Sequence, residues 1–288
     1  MNNEKKQNLM VRTITGILFL AVMITSFLRP QTMILLFTLI TALSLWEFST
    51  LVNAQSGISI NRFITTVAGT YFFLAIAGVN SGWMQTNAVF VPYLLTVVYL
   101  FISELYTKAH HPVVNWAYTM LAQMYIALPL SMINVLAFRQ SPDGITHFHY
   151  LLPLSVFIFL WTNDTGAYCS GSLLGRHKLF PRISPAKSWE GSIGGGILVL
   201  LVAALIGYIE TQGEHLSGLS IPEWVGLGLV VVVFGTWGDL VESLFKRTLG
   251  IKDSGRILPG HGGMLDRFDS SLMAIPAAVV YLYSLTFF

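Results

Sequence analysis

Residues 222–269 read PEWVGLGLVVVVFGTWGDLVESLFKRTLGIKDSGRILPGHGGMLDRFD. The first half is an apolar run, interrupted near its end by Asp239 and Glu242. About 20 apolar residues suffice to cross the hydrocarbon of a bilayer. Lipid offers no water to backbone N–H and C=O groups, so a crossing segment closes its hydrogen bonds within a helix. The second half is of the opposite character. It carries cations, carboxylates and glycines, and then Asp266 and Asp269 open another apolar run.

Outward from this stretch, similar runs recur along the chain. Nine spans are predicted, near residues 11–29, 32–53, 61–80, 88–105, 113–138, 150–172, 191–209, 222–246 and 268–287. The fold class is all-α: a polytopic membrane bundle forming one membrane domain over 1–288. Residues 1–140 are its N-terminal portion and 150–288 carry the chemistry. Composition agrees, with 54% of the 288 residues hydrophobic and 10% charged; a soluble domain carries about 25% charged residues. Lys5, Lys6 and Arg12 ahead of an apolar stretch resemble a signal peptide. The stretch is long, no small-x-small site follows, and Arg29-Pro30 leads into the next run, so a retained span is expected. The single Cys169 excludes an intramolecular disulfide framework and a cysteine-based zinc cluster.

Basic residues orient such a bundle. With the N-terminus in the cytoplasm, Lys5, Lys6, Arg12, Arg62, Lys108, Arg176, Lys178, Arg182, Lys187, Lys246, Arg247, Lys252, Arg256 and Arg267 fall inside. Only Arg29 and Arg139 fall outside, a ratio of 14 to 2. The loop around Glu210, Glu214 and Glu223 then lies outside, as does the C-terminus. Loops 172–190 and 246–269 face the compartment that holds nucleoside triphosphates.

Charge at membrane depth is costly, so an intramembrane carboxylate is a functional candidate. The candidates are Asp164, in Trp161-Thr162-Asn163-Asp164-Thr165-Gly166, and Asp239 with Glu242. On a helix Asp239, Ser243 and Lys246 stand at i, i+4 and i+7 and share a face, with Glu242 beside it. Asp266 and Asp269 stand at i, i+3. Hard divalent cations choose oxygen ligands of this kind. The intervening loop holds Lys252, Asp253, Ser254, Arg256 and His261 among Gly255, Gly260, Gly262 and Gly263. Glycines let backbone N–H groups approach phosphate oxygens. Each feature alone has a plainer reading: a helix-end carboxylate, a turn, a positive-inside loop. Their conjunction in one segment suits phosphoryl-group chemistry.

Residues 243–269 resemble the signature of the phosphatidate cytidylyltransferase (CDP-diglyceride synthase) family. Ser243, Lys246, Arg247, Lys252, Asp253, Gly255, Leu258, Pro259, His261, Gly262, Gly263, Asp266, Arg267 and Asp269 fill that pattern without a departure. Asn163–Tyr168 and Ser184–Gly191 also resemble the family. The likeness is strong over 160–270; residues 1–140 match only as a generic bundle, and no function is inferred for them.

The resemblance implies CTP:phosphatidate cytidylyltransferase activity, releasing pyrophosphate, in phospholipid biosynthesis at the inner (cytoplasmic) membrane. It implies Mg2+ and a second ion, divalent or K+, held by Asp239, Asp266 and Asp269. Asp239, Asp266, Lys246 and Arg247 are the expected catalytic residues. Ser243, Lys187, Lys252, His261, Arg267 and Asp164 are the expected substrate contacts. His261 either donates to pyrophosphate or orders the glycine turn. Arg267 pairs with a carboxylate or with lipid phosphate. Asp164 is a third metal or ribose contact, or it caps a broken helix, since its surroundings are turn-like. Trp161, Tyr168 and Trp189 stack on cytosine or belong to an interfacial aromatic belt. The expected partners are CTP, phosphatidic acid, the bilayer and a second copy of the chain, with no nucleic acid. A CTP-dependent polyprenol or phytol kinase is the nearest rival, and an ion-coupled transporter the rival of another class. Charges crowded at one interface, without a visible repeat, argue against transport.

Overall fold

The computed structural model describes residues 3–107, 111–140, 144–213, 217–255, 257 and 262–285; within the first helix it describes the side chains of Met10 and from Thr13 onward. Lys108, Glu214, Arg256, Leu258, Pro259, Gly260 and His261, all used in the sequence reading, lie outside those residues, as do the side chains of Lys5, Lys6 and Arg12. The chain is helical, with two short hairpins. In order come α1 (Asn3–Ser26), α2 (Pro30–Asn53), α3 (Arg62–Asn80), a 3-10 turn (Asn87–Phe90), α4 (Val91–Tyr106), α5 (Pro112–Ala122), a π turn (Gln123–Ala127), α6 (Leu128–Ser131) and α7 (Ile133–Ala137). Then follow β1 (Phe138–Gln140), β2 (Thr146–Phe148), α8 (Leu151–Leu174), β3 (Lys178–Phe180), β4 (Ser184–Ser188), α9 (Trp189–Gln212), α10 (Ile221–Thr248), α11 (Leu265–Phe268) and α12 (Ser271–Leu285).

Among the described residues, seven helices are long and apolar enough to cross a membrane: Pro30–Asn53, Arg62–Asn80, Asn87–Tyr106, Pro112–Ala137, Trp189–Gln212, Ile221–Thr248 and Leu265–Leu285. The protein is therefore a polytopic helical membrane protein. The other two predicted spans are helical as well. Of α1, the described apolar stretch is Thr13–Ser26. Helix α8 is long enough at 24 residues, but Thr162, Asn163, Asp164, Thr165, Ser170 and Ser172 make its second half polar. On α9, Ile193, Ile197, Leu201, Leu205 and Ile209 form an exposed stripe at four-residue spacing. Such a stripe suits contact with lipid.

The contacts divide the chain into two units, Met1–Tyr150 with Leu249–Phe268, and Leu151–Thr248 with Asp269–Phe288. In the first unit, Pro30 begins α2 after the extended Arg29, where its missing N–H costs nothing. Asn53 clamps the α2–α3 connection: its Nδ2 donates to the Ile60 carbonyl at 2.9 Å and its Oδ1 accepts from the Ile60 amide at 2.7 Å. Asn61 then caps α3 by accepting from the Ile64 amide at 3.0 Å. Phe37, Leu45, Phe48 and Phe73 are wholly buried. Gln123, in the π turn, donates to the Thr65 carbonyl at 3.0 Å, tying α3 to that turn.

In the second unit α8, α9, α10 and α12 pack together. Helices α8 and α9 meet backbone to backbone. A Cβ at Gly195 would lie 2.7 Å from the Asn163 carbonyl oxygen, and one at Gly166 would lie 2.9 Å from the Gly195 Cα. Small residues at the contact are how helices associate in lipid, where no hydrophobic effect drives them together. At one end Glu210 of α9 accepts from the Trp224 indole at 3.0 Å and from the Ser217 amide at 2.9 Å. Tyr281 of α12 donates to the Glu223 carbonyl of α10 at 3.0 Å. At the other end, β3 and β4 pair antiparallel with Lys178 opposite Ser188, and Ser188 caps α9 through the Gly191 amide at 3.2 Å.

The close α8–α9 contact gives a paired prediction. Gly195→Ala forces the two backbones apart and should lower stability by about 1–3 kcal/mol, as overpacking does. At Gly196 a Cβ would meet only Val232 Cγ1, at 3.6 Å. Gly196→Ala should therefore leave the thermal midpoint unchanged or raise it. Thermal unfolding of the detergent-solubilised variants checks both.

Candidate active site

In the second unit the site grows from the final turns of α10. A turn of 3.6 residues stacks Ser243 over Asp239, and the Ser243 hydroxyl donates to Asp239 Oδ1 at 3.2 Å. Asp239 Oδ2 pairs with Lys187 Nζ of β4 at 2.5 Å, with about a quarter of each side chain exposed. Lys246 pairs with Glu242 at 2.6 Å, and the Glu242 side chain is 0% exposed. A carboxylate so buried depends on its counter-ion. Lys246, read as a phosphate ligand, thus also neutralises Glu242, the candidate beside Asp239 to which the sequence assigns no specific role. The i, i+4 spacing of the two residues was the available signal.

Gly238 explains how Asp269 comes near this group. A Cβ there would lie 2.9 Å from the Asp269 carbonyl oxygen and 3.0 Å from that of Ser270. The turn ahead of α12 therefore rests directly on the α10 backbone. Asp269 lies within electrostatic reach of Asp239, Lys246 and Asp164. Its Oδ1 accepts from the Ser270 amide at 2.5 Å. Two carboxylates close together repel, and Lys187 and Lys246 supply opposing charge.

The β3–β4 hairpin holds Lys187 in place. Glu190, in the first turn of α9, accepts from the amides of Arg176 and His177, each at 3.2 Å, and its Oε1 lies 2.6 Å from His177 Nδ1. The Trp189 amide donates to the His177 carbonyl at 2.9 Å. Lys187 therefore sits on an anchored hairpin rather than in an open loop. Beside it opens a cleft of about 190 Å³, lined by Asn163, Asp164, Tyr168, Lys187, Ser192 and Thr236 among others. Asn163 is buried there, and no hydrogen bond reaches its Oδ1 among the described residues. Helix α8 runs unbroken through Asn163–Gly166. The alternative in which Asp164 caps a broken helix is thereby corrected: the helical ladder continues, and the polar residues point from one face into the cleft. Arg247 is exposed in the last turn of α10.

In the first unit the loop after α10 folds on α2. Asp266 Oδ2 accepts from the Ser254 amide at 2.9 Å and from the Gly263 amide at 2.8 Å. Gly262 stands at φ 82°, and a Cβ there would lie 2.6 Å from Asp266 Oδ2. Only glycine meets both demands easily. Asp266 is thus an organiser of its own loop, a role the signature did not suggest. Lys252 and Arg267 are exposed on this unit. Glu47 of α2 also reaches the loop, accepting from the Leu265 amide at 2.9 Å and the Ser254 hydroxyl at 3.2 Å. The sequence reading passed over Glu47, although a lone carboxylate in an apolar span meets the criterion applied to Asp239. Among the described residues, no three His, Cys, Asp or Glu side chains are grouped to hold a metal by themselves.

Residues 10–285 match the model of the cytidylyltransferase family. A phosphatidate cytidylyltransferase of Staphylococcus aureus (strain COL) is 32% identical over 277 residues, covering 94% of this chain and 98% of that protein. One from Haemophilus influenzae (strain ATCC 51907 / DSM 11121 / KW20 / Rd) is 34% identical over 249 residues, covering 82% and 85%. One from Staphylococcus haemolyticus (strain JCSC1435) is 32% identical over 273 residues, covering 94% and 98%. The similarity includes the N-terminal helices, which the sequence reading had matched only as a generic bundle. With a match that spans nearly its whole length, the chain belongs to the cytidylyltransferase family.

Proposed function

We propose that this protein is a CTP:phosphatidate cytidylyltransferase of phospholipid biosynthesis, working at the cytoplasmic face of an inner membrane. The observation that carries this reading is the pairing of Lys187 with Asp239 beside a cleft that Asn163 and Asp164 also line, in a chain whose relatives bear that name. The cleft is smaller than the roughly 300 Å³ at which small-molecule pockets begin. It suits part of a nucleotide, with Asp164 and the unpartnered Asn163 oxygen toward ribose or cytosine.

The phosphate of phosphatidic acid is the nucleophile. A phosphate monoester has a second pKa of about 6, so its oxygen is already anionic and needs no general base. That oxygen bonds to the α-phosphorus of CTP, the bond to the bridging oxygen breaks, and pyrophosphate leaves. The difficulty is bringing anions together, and fixed cations meet it. Lys187 and Lys246 each rest on a carboxylate, and incoming phosphates compete for their ammonium groups. Ser243, Arg247, Lys252, His261 and Arg267 complete the proposed phosphate contacts on the strength of the signature.

Asp239, Asp266 and Asp269 are the proposed holders of Mg2+ and of a second ion, divalent or K+. The nearness of Asp239 and Asp269 suits a cation that takes a few carboxylates and completes its shell with phosphate and water. Such ions would neutralise phosphate charge during transfer. We also read nine crossings, adding α1 and α8 to the seven, with the N-terminus inside and the C-terminus outside, on the distribution of basic residues. One membrane domain, its chemistry carried by 150–288, and a homodimer complete the proposal.

Proteoliposomes given CTP labelled in the α-phosphate should form labelled CDP-diacylglycerol from phosphatidic acid. Lipid labelled from the γ-phosphate instead would identify a lipid kinase. Asp266→Asn keeps an acceptor oxygen for the Ser254 and Gly263 amides but loses the charge. It should insert normally yet lose magnesium-dependent product formation by about 100-fold or more; near-normal turnover would overturn the metal role. Lys246→Ala alone would strand Glu242, so Lys246→Met with Glu242→Gln is the cleaner variant. It should raise the apparent KM for CTP by about tenfold, the size of one charge-assisted hydrogen bond. An unchanged KM for CTP would remove Lys246 from the phosphate contacts.

A further inference from the structure

We infer that Glu47 is the positioning residue of the loop that follows α10, anchoring it from α2 by accepting hydrogen bonds. This rests on the reading above that Asp266, which closes that loop, takes part in the reaction. Glu47 lies in the apolar span Pro30–Asn53 and is 6% exposed. A carboxylate is costly in such a place unless donors answer it. Its Oε2 accepts from the Ser254 hydroxyl at 3.2 Å and the Leu265 amide at 2.9 Å. Ser254 and Leu265 lie on either side of residues 255–264, and Asp266 accepts from the amides of Ser254 and Gly263. The two carboxylates thus share Ser254, one holding its amide and the other its hydroxyl.

The loop is shaped around this carboxylate. A Cβ at Gly263 would lie 2.6 Å from Glu47 Oε2, and a Cβ at Gly255 would collide with Oε1. These two glycines, first read as giving phosphates access to bare backbone, make room for Glu47. Helix α2 and the residues just after it hold both ends of the segment. Gln55, two residues past the end of α2, donates to the Leu249 carbonyl at 3.3 Å. Phe37 of α2 meets Phe268 edge to face, with ring centres 6.1 Å apart. Helix α2, to which the signature assigns nothing, is therefore the template on which the first unit builds its part of the signature.

Three variants of the full-length protein test this, with two readouts: tryptic cleavage after the exposed Lys252, and kcat and KM for CTP and phosphatidic acid. Glu47→Gln keeps an acceptor oxygen, and among the described residues nothing donates to Oε1, so the amide breaks no hydrogen bond there. Glu47→Met keeps the volume without an acceptor. Methionine should speed cleavage and lower kcat by about 100-fold, the cost of misplacing a reacting group by about 1 Å, with KM for CTP changing much less. Glutamine should stay close to the parent protein in both readouts. Methionine behaving like glutamine would reduce Glu47 to a space filler and overturn the proposal. Glutamine losing turnover with its loop intact would also overturn it, placing the charge itself in the reaction. Faster cleavage with full turnover would uphold the anchor and sink the role of Asp266 instead. Should the methionine variant not insert, Ser254→Ala decides, because it removes one donor alone. Faster cleavage is expected, and unchanged cleavage would overturn the anchor.

Discussion

Placing a carboxylate within a bundle of membrane helices costs several kcal/mol unless donors or a cation answer it. This constraint organises both units. Glu242 is answered by Lys246, and Asp239 by Lys187 and Ser243. Asp266 and Glu47 are answered by the amides and hydroxyl of one glycine-rich loop. Glu210 is answered by the Trp224 indole and the Ser217 amide. Because the answering group often comes from a distant part of the sequence, each carboxylate also specifies a tertiary contact. Glu47 reaches a segment more than 200 positions away.

In the proposed reaction the same arrangement would prepare the site for anions. Lysines held by carboxylates would not need to be stripped of a full water shell to meet phosphate, since protein oxygen already stands in for part of it. Preorganised charge of this kind costs little reorganisation when the reaction occurs. The hairpin that carries Lys187 is itself pinned by Glu190, so the cation is presented rather than left to a mobile loop.

Glycine acts here in three distinct ways. At Gly238 and Gly195 it lets backbones touch, which brings Asp269 toward Asp239 and seats α9 directly on α8. At Gly262 it supplies a positive φ. At Gly255 and Gly263 it yields space to a carboxylate. All three look alike as letters, which is why the loop glycines were first assigned to phosphate.

The sequence by itself determined the class of molecule and the chemistry. Apolar runs of crossing length demand helices because lipid leaves backbone groups no other partner, and helices stand at all nine predicted places. The i, i+4 spacing of Asp239 and Ser243 was enough to foresee their contact. Partners distant along the chain were decided only by the tertiary structure. That Lys187 meets Asp239, that α8 passes Asp164 without a break, and that α2 answers the loop through Glu47 depend on how helices pack. Spacing within one helix is set by a fixed pitch, whereas contact between helices is set by close-fitting surfaces and by which buried charges must find one another.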